Sequence, residues 1–148
     1  MTAATDKQAA DVLSSTWADA HYMKGYALLE TGRLEEAKAS IESAVTLSPG
    51  NAQYLSELGH VYSLEEDWPQ ALEYFETAEK SAEAFSPPEV KASELGRARR
   101  GVGYVLVELG RLDEAEDKYL QCLAADPDDV IARSELEYVR SLRDSQQN

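Results

Sequence analysis

The stretch ELGHVYSLEEDWPQALEYFETAEK (Glu57–Lys80) decides the fold, because it places two helical patterns around a short turn. Its first pattern contains Gly59, although a glycine inside a helix costs about 1 kcal/mol relative to alanine. The same arrangement recurs along the chain: Gly25 lies 34 residues before Gly59, and Gly103 lies 44 residues after it. A glycine repeated at a costly position indicates a packing role that the three copies share.

Three further series of residues keep the spacing of the glycines, with ten extra residues between the second and third copies. The series are Ala37, Ala71 and Ala115; Ile41, Phe75 and Tyr119; and Ala44, Ala78 and Cys122. A 34-residue period made of two helical patterns is typical of the tetratricopeptide repeat. The chain therefore resembles a three-repeat domain of that family over residues 18–129.

The resemblance implies an all-α fold, an α-solenoid of antiparallel helix pairs closed by a capping helix. The repeats occupy 18–51, 52–85 and 96–129 in this interpretation, with an insertion at 86–95 and the capping helix and polar tail at 130–148. Small side chains such as Gly59 let the paired helices approach closely, while the large series fills the space beside them. Residues 1–17 are expected to form either a short helix over the open end or a disordered segment.

Local signals predict several helix boundaries. Gly32 and Gly110 are predicted to end first helices, since glycine accepts the left-handed backbone that closes a helix. Asp67 and Pro69 predict the start of the second helix in the middle repeat. In the insertion, Ser86 is predicted to cap a helix over 87–109 that is longer than its counterparts.

Composition narrows the range of functions. A formal net charge of −14 over 148 residues disfavours nucleic acid and membrane surfaces as partners. Cys122 is the only cysteine, and the only histidines, His21 and His60, lie in different repeats without a metal-ligand spacing. We therefore expect no enzyme, no metal and no cofactor. The start of the chain lacks a signal-peptide pattern, so we expect a cytoplasmic protein, with a periplasmic location left open for a trimmed chain.

The resemblance also implies that the first helix of each pair lines a concave groove for an extended peptide or a partner helix. The groove residues that it implies are Tyr22, Tyr26, Leu29, Gln53, Ser56, His60, Arg97, Arg100 and Tyr104. Arg97, Arg100 and Tyr104 share one helix face, which favours an acidic peptide or a C-terminal carboxylate. The alternative is that Glu57, Glu94 and Glu108 neutralise the arginines, while the tyrosines pack on neighbouring helices.

Within the family, domains that hold heat-shock chaperone tails use a clamp of lysines, arginine and asparagines. The matching positions here are Tyr22, Tyr26, Glu57, Arg97 and Gly101, of which only Arg97 keeps the required character. Such tails are therefore not expected as ligands. The leading interpretation is a non-catalytic adaptor or scaffold that binds a protein partner. The alternatives are a small acidic secretion or assembly chaperone for one client, and a scaffold that forms homo-oligomers.

Overall fold

The computed structural model describes residues 3–148, and the regular structure in that range consists of seven α-helices. The helices are α1 (Ala3–Glu30), α2 (Leu34–Leu47), α3 (Ala52–Leu64), α4 (Trp68–Phe85), α5 (Pro88–Glu108), α6 (Leu112–Ala125) and α7 (Val130–Gln146). Each helix packs against the next one along the chain, and α3 also packs against α5, as α5 does against α7. The predicted α-solenoid of helix pairs with a final capping helix is confirmed. No helix among the described residues is long and apolar enough to cross a membrane.

The turns inside the three pairs use the local signals of the sequence. Gly32 and Gly110 adopt left-handed φ angles of +75° and +73°, as predicted. The middle turn has no glycine, and Glu66 takes the left-handed conformation there with φ of 58°. The Asp67 side chain then accepts a hydrogen bond from the Gln70 N–H at 3.3 Å, and Pro69 lies in the first turn of α4. The predicted start of α4 is therefore confirmed.

The N-terminal segment differs from the prediction. Residues 3–17 belong to α1, which continues without a break from Ala3 to Glu30, so the segment is neither a separate short helix nor disordered in this range. The reason lies in the sequence, because no proline interrupts it and its first glycine is Gly25, a packed position. Residues 1 and 2 lie outside the described part of the chain.

The predicted cap of α5 is also corrected. Ser86 closes α4, since its backbone N–H donates to the Ala82 carbonyl oxygen, and α5 begins at Pro88 with Pro87 at the N-cap. The Ser86 hydroxyl donates to the carboxylate of Glu94, the seventh residue of α5. The predicted extra length of α5 is present: it has 21 residues, whereas α3 has 13. Its first half borders a cavity of about 760 Å³ against the end of α6.

The repeated glycines are sites where the second helix of a pair presses on the first. A Cβ atom added at Gly25 would lie 2.5 Å from Ile41 Cγ1, and one added at Gly103 would lie 2.7 Å from Tyr119 Cζ. The large residues therefore pack directly over the glycines, which is closer than the expected placement beside them. Ala37, Ala71 and Ala115 are fully buried. In α7, Leu136 and Val139 complete the core, while Val130 and Ile131 remain exposed.

Candidate functional site

One surface of the solenoid is lined by α3, α5 and α7, and we call it the α3–α5–α7 groove. It contains a larger cavity of about 270 Å³ and a smaller one of about 180 Å³. The larger cavity is lined by His60, Ser63, Phe75, Arg97, Arg100, Gly101, Tyr104, Tyr119, Ile131 and Glu135. The smaller one is lined by Ala52, Gln53, Ser56, Val90, Ser93, Glu94 and Arg97. Arg97 borders both, so the two cavities are neighbours along the groove.

The floor of the larger cavity comes from the second helices of the pairs. Phe75 on α4 and Tyr119 on α6 are 6% and 1% exposed, yet both line the cavity. They reach it because glycines open the intervening helix layer: Cβ atoms at Gly59 and Gly103 would lie 3.0 Å and 2.7 Å from the respective rings. A Cβ atom at Gly101 would likewise collide with the Phe75 ring. The glycines therefore allow two buried aromatic rings to line the floor of the cavity.

Arg97 is held in place by a carboxylate of the neighbouring first helix. Its Nη2 lies 2.5 Å from Glu57 Oε2, and the Glu57 side chain is only 3% exposed. Burial by itself lowers the pKa of Arg97, but the hydrogen bond and the charge of Glu57 outweigh it, so the pKa is raised. Tyr22 shifts the pKa of Arg97 in the same direction. The Arg97–Glu57 ion pair is thus a fixed part of the groove wall.

Arg100 is paired with a carboxylate of the capping helix. Its Nη1 lies 2.6 Å from Asp129 Oδ2, and Asp129 Oδ1 accepts a hydrogen bond from the Ala132 N–H at 2.9 Å as the N-cap of α7. Burial tends to raise the pKa of Asp129, but these hydrogen bonds and the Arg100 charge lower it below its ordinary value. The sequence offers the alternative that Glu57, Glu94 and Glu108 neutralise the arginines. This is correct for Glu57. It is wrong for Glu94, which accepts a hydrogen bond from Ser86, and for Glu108, which forms no ion pair with an arginine of the described residues.

The first repeat reaches the groove through Tyr22. Its ring stacks on Tyr54 with 5.0 Å between the centroids, and its hydroxyl accepts a hydrogen bond from Gln53 Nε2 at 3.1 Å. The Tyr54 hydroxyl in turn donates to the Asp19 carboxylate. Tyr26 is half exposed, and Leu29 packs beside Leu58 in the core. Neither of these two lines a cavity of the groove.

Of the nine groove residues implied by the sequence, six line the two cavities. They are Gln53, Ser56, His60, Arg97, Arg100 and Tyr104. Sequence reasoning did not assign Phe75, Tyr119, Ile131 or Glu135 to the site. Ile131 and Glu135 lie four residues apart on the capping helix, a spacing that puts them on one face and that could have identified them.

The α7 end of the larger cavity combines aromatic rings with carboxylates. Tyr104 is 44% exposed and packs edge-on against Trp68, with 6.1 Å between the ring centroids. Burial raises the pKa of Tyr104, and the charges of Glu108, Glu135 and Glu66 raise it further. No basic side chain within residues 3–148 forms an ion pair with these three carboxylates. This end of the groove is therefore locally negative.

The Tyr119 hydroxyl is buried in the wall of this cavity without a hydrogen-bond partner. Burial raises its pKa, and the Glu135 charge is the next cause. A buried hydroxyl without a partner costs about 1–3 kcal/mol.

Neither a metal site nor a reactive cysteine is present among the described residues. Across the described residues, no three His, Cys, Asp or Glu side chains come together in a way that could hold a metal ion. The Cys122 thiol is 2% exposed, and burial raises its pKa, so little of the reactive thiolate forms at neutral pH.

Comparisons with known proteins agree with the architecture. A family model described as tetratricopeptide repeat matches residues 51–128, and a second model of the same description matches residues 18–51. No curated protein sequence matches the chain significantly.

Several solved structures share the fold. The tetratricopeptide domain of Arabidopsis OM64 superposes with a TM-score of 0.75 at 17% identity, covering 86% of this chain and 98% of that one. The first such domain of Spaghetti (RPAP3), bound to the HSP90 peptide SRMEEVD, gives 0.75 at 19% identity, with coverages of 86% and 94%. The N-terminal domain of STI-1 from C. elegans gives 0.72 at 18% identity, with coverages of 84% and 95%. At these identities the similarity concerns the fold.

Proposed function

This chain belongs to the tetratricopeptide repeat family, and we propose that it is a non-catalytic protein-interaction module. Its ligand in this proposal is an extended peptide of a partner protein, held in the α3–α5–α7 groove. The observation that carries the proposal is the larger cavity, where two buried aromatic rings open toward the exposed side chains of His60 and Tyr104. Such a concave apolar site with a few fixed polar groups is what a peptide side chain needs.

The size and rigidity of the groove fit an extended segment. Cavities of about 270 and 180 Å³ are smaller than the 300–1,000 Å³ typical of sites for whole small molecules. Each is suited to one or two side chains. Arg97, which borders both cavities, is held by its ion pair with Glu57, so a ligand does not have to order this side chain on binding.

The chaperone tails bound by some relatives are not the ligands that we propose. The HSP90 peptide held by the Spaghetti domain, SRMEEVD, has three acidic residues among its last four. In this chain, the buried Glu57 already binds the groove residue Arg97, and the net charge is −14. An acidic tail would have to replace a buried carboxylate against the field of the whole protein.

A peptide selection tests the proposal directly. A displayed library of random dodecamers is selected on the wild-type protein, and the recovered peptides are measured on Tyr104→Ala and on Leu120→Ala. The two side chains are similarly exposed, at 44% and 41%, but Leu120 lies on the second helix α6. We expect Tyr104→Ala to weaken binding about tenfold, the cost of losing one aromatic anchor. Peptides that bind Tyr104→Ala as well as wild type would contradict the groove as the site.

Self-association is a second candidate, favoured by the projecting start of α1. The Ser14 hydroxyl donates to the Leu47 carbonyl at the end of α2, so residues 3–13 extend beyond α2. Val12 and Leu13 on this segment, and Trp17 one turn further along α1, are at least 60% exposed. Residues 3–17 carry only two acids and one base, so a second copy meets little repulsion there. Light scattering should then give a mass that rises with concentration, and that falls to the monomer in Trp17→Lys. A concentration-independent monomer would exclude this candidate.

A further inference from the structure

The charges that remain uncompensated along the groove are negative. Arg97 and Arg100, its two cations, are neutralised by Glu57 and Asp129, whose side chains are 3% and 8% exposed. Glu135 lines the larger cavity and forms no ion pair with any of the described residues. Glu66 and Glu108 act on the same tyrosine, Tyr104, and likewise have no cationic partner there. A ligand therefore meets excess negative charge at this end of the groove.

A second, independent feature lies in the wall of the same cavity. The hydroxyl of Tyr119 is buried and has no hydrogen-bond partner, although the side chain is 99% buried in a well-packed position. A native buried polar atom normally has a partner. The Tyr119 ring lines the cavity over Gly103, and a ligand donor reaches its enclosed hydroxyl when the side chains around it move aside.

From this combination we propose that the larger cavity binds the side chain of an arginine or lysine in the partner's peptide. The inference rests on the proposed peptide-binding function and specifies the chemistry of its anchor. The aliphatic stem packs against Phe75 and Ile131, which line the cavity. The cationic head lies near the Tyr104 ring and the Glu135 carboxylate, and one of its N–H groups donates to the Tyr119 hydroxyl.

The arrangement disfavours the acidic peptide that the arginines alone would suggest. A ligand carboxylate could gain a full ion pair with Arg97 or Arg100 only by displacing Glu57 or Asp129. Either would leave a nearly buried carboxylate without its counter-charge, which is strongly destabilising. A cationic side chain leaves both internal pairs intact and compensates Glu135.

The test is a comparison of side-chain preference in the random-dodecamer selection. We expect arginine or lysine to be enriched at one position of the peptides recovered on wild type. The selection is repeated on Glu135→Gln and on Glu137→Gln, an exposed carboxylate two residues along α7 and therefore on another face. The enrichment should disappear with Glu135→Gln and persist with Glu137→Gln.

Binding measurements on one recovered peptide then identify the contacts. A fluorescein-labelled copy should bind Glu135→Gln about tenfold more weakly than wild type, the effect of one lost hydrogen bond to a charged group. When norleucine, which has no donor, replaces the basic residue of the peptide, wild type and Glu135→Gln should bind the peptide with the same affinity. Tyr119→Phe should also weaken binding of the basic peptide while leaving binding of the norleucine peptide unchanged.

The outcomes separate this inference from the proposed function. Peptides that depend on Tyr104 but show no basic preference, or an acidic one, would overturn the cationic anchor and leave groove binding in place. Basic peptides that bind Glu135→Gln and Tyr119→Phe as tightly as wild type would also overturn it. Peptides that bind Tyr104→Ala with the same affinity as wild type would refute the groove as the binding site.

Discussion

Replacing Gly103 by alanine tests whether the glycines of the first helices are needed because a ring of the second helix packs directly against them. The added Cβ would lie 2.7, 2.9 and 3.0 Å from three atoms of the Tyr119 ring, whereas ordinary contacts begin at 3.4 Å. Tyr119 is 1% exposed, so its ring has nowhere to retreat without disturbing the core around Val102 and Leu136. Overpacking of this kind costs about 1–3 kcal/mol.

Gly96→Ala is the matched control, because Gly96 lies in the same helix. A Cβ there would meet only the Arg100 guanidinium, with Nη1 at 3.1 Å, and a shift of a few tenths of an ångström relieves this contact while keeping the pair with Asp129. Both substitutions gain about 1 kcal/mol of helix propensity. That gain cancels in the comparison, so the difference between the variants measures the packing cost alone.

Urea denaturation followed by circular dichroism gives the required free energies of unfolding. We expect Gly103→Ala to be less stable than Gly96→Ala by about 1–3 kcal/mol, with Gly96→Ala at or above the wild-type value. Equal stabilities of the two variants would refute the packing explanation of the repeated glycines. An unchanged m-value would show that the loss comes from stability and not from a change in compactness.

Three further predictions concern buried groups. Tyr119→Phe removes a buried hydroxyl that has no hydrogen-bond partner. Calorimetry should therefore show a free energy of unfolding about 1 kcal/mol higher than wild type and a Tm about 3 °C higher. A lower Tm would mean that the hydroxyl is hydrogen-bonded. Asp129→Asn should cost about 2 kcal/mol at pH 7 through the lost Arg100 pair. Because the folded-state pKa of Asp129 lies below its ordinary value of 3.8, the wild-type carboxylate stabilises the fold above that pH and loses its contribution as the pH falls through the lower value. The stability gap to Asp129→Asn should therefore close below pH 3.8, and a gap that is the same at pH 7 and at pH 2.5 would contradict this assignment. The Cys122 thiol, 2% exposed and with a raised pKa, should react with a disulfide reagent only as fast as the protein unfolds; rapid labelling of the native protein would show that α6 opens locally.

The helix pairs could be predicted from the sequence because their causes are local and repeated. A glycine on one helix and a large residue on the next lie 16 residues apart in each copy, as with Gly59 and Phe75, so three copies of the same contact confirm one another. The turns at Gly32 and Gly110 follow from one conformational property of glycine.

The site was harder to predict because its decisive contacts join distant elements. Arg100 and Asp129 are 29 residues apart, and their pairing depends on how α7 packs against α5, which no local pattern reports. The start of α1 was missed because the repeat pattern has no information upstream of its first copy. The role of Tyr119 was missed because its spacing identifies it as a core residue, and only the structure shows that the ring ends at a cavity.

The most direct test of the central claim is an amide chemical-shift titration of the isotopically labelled protein with a peptide recovered from the selection. The account predicts saturable shift changes concentrated on the groove faces of α3, α5 and α7, including His60, Arg97, Tyr104 and Glu135. Residues on the outer faces of the second helices, such as Thr77 and Leu120, should remain unperturbed. Shift changes confined to α4 and α6, with the groove residues unaffected, would contradict it.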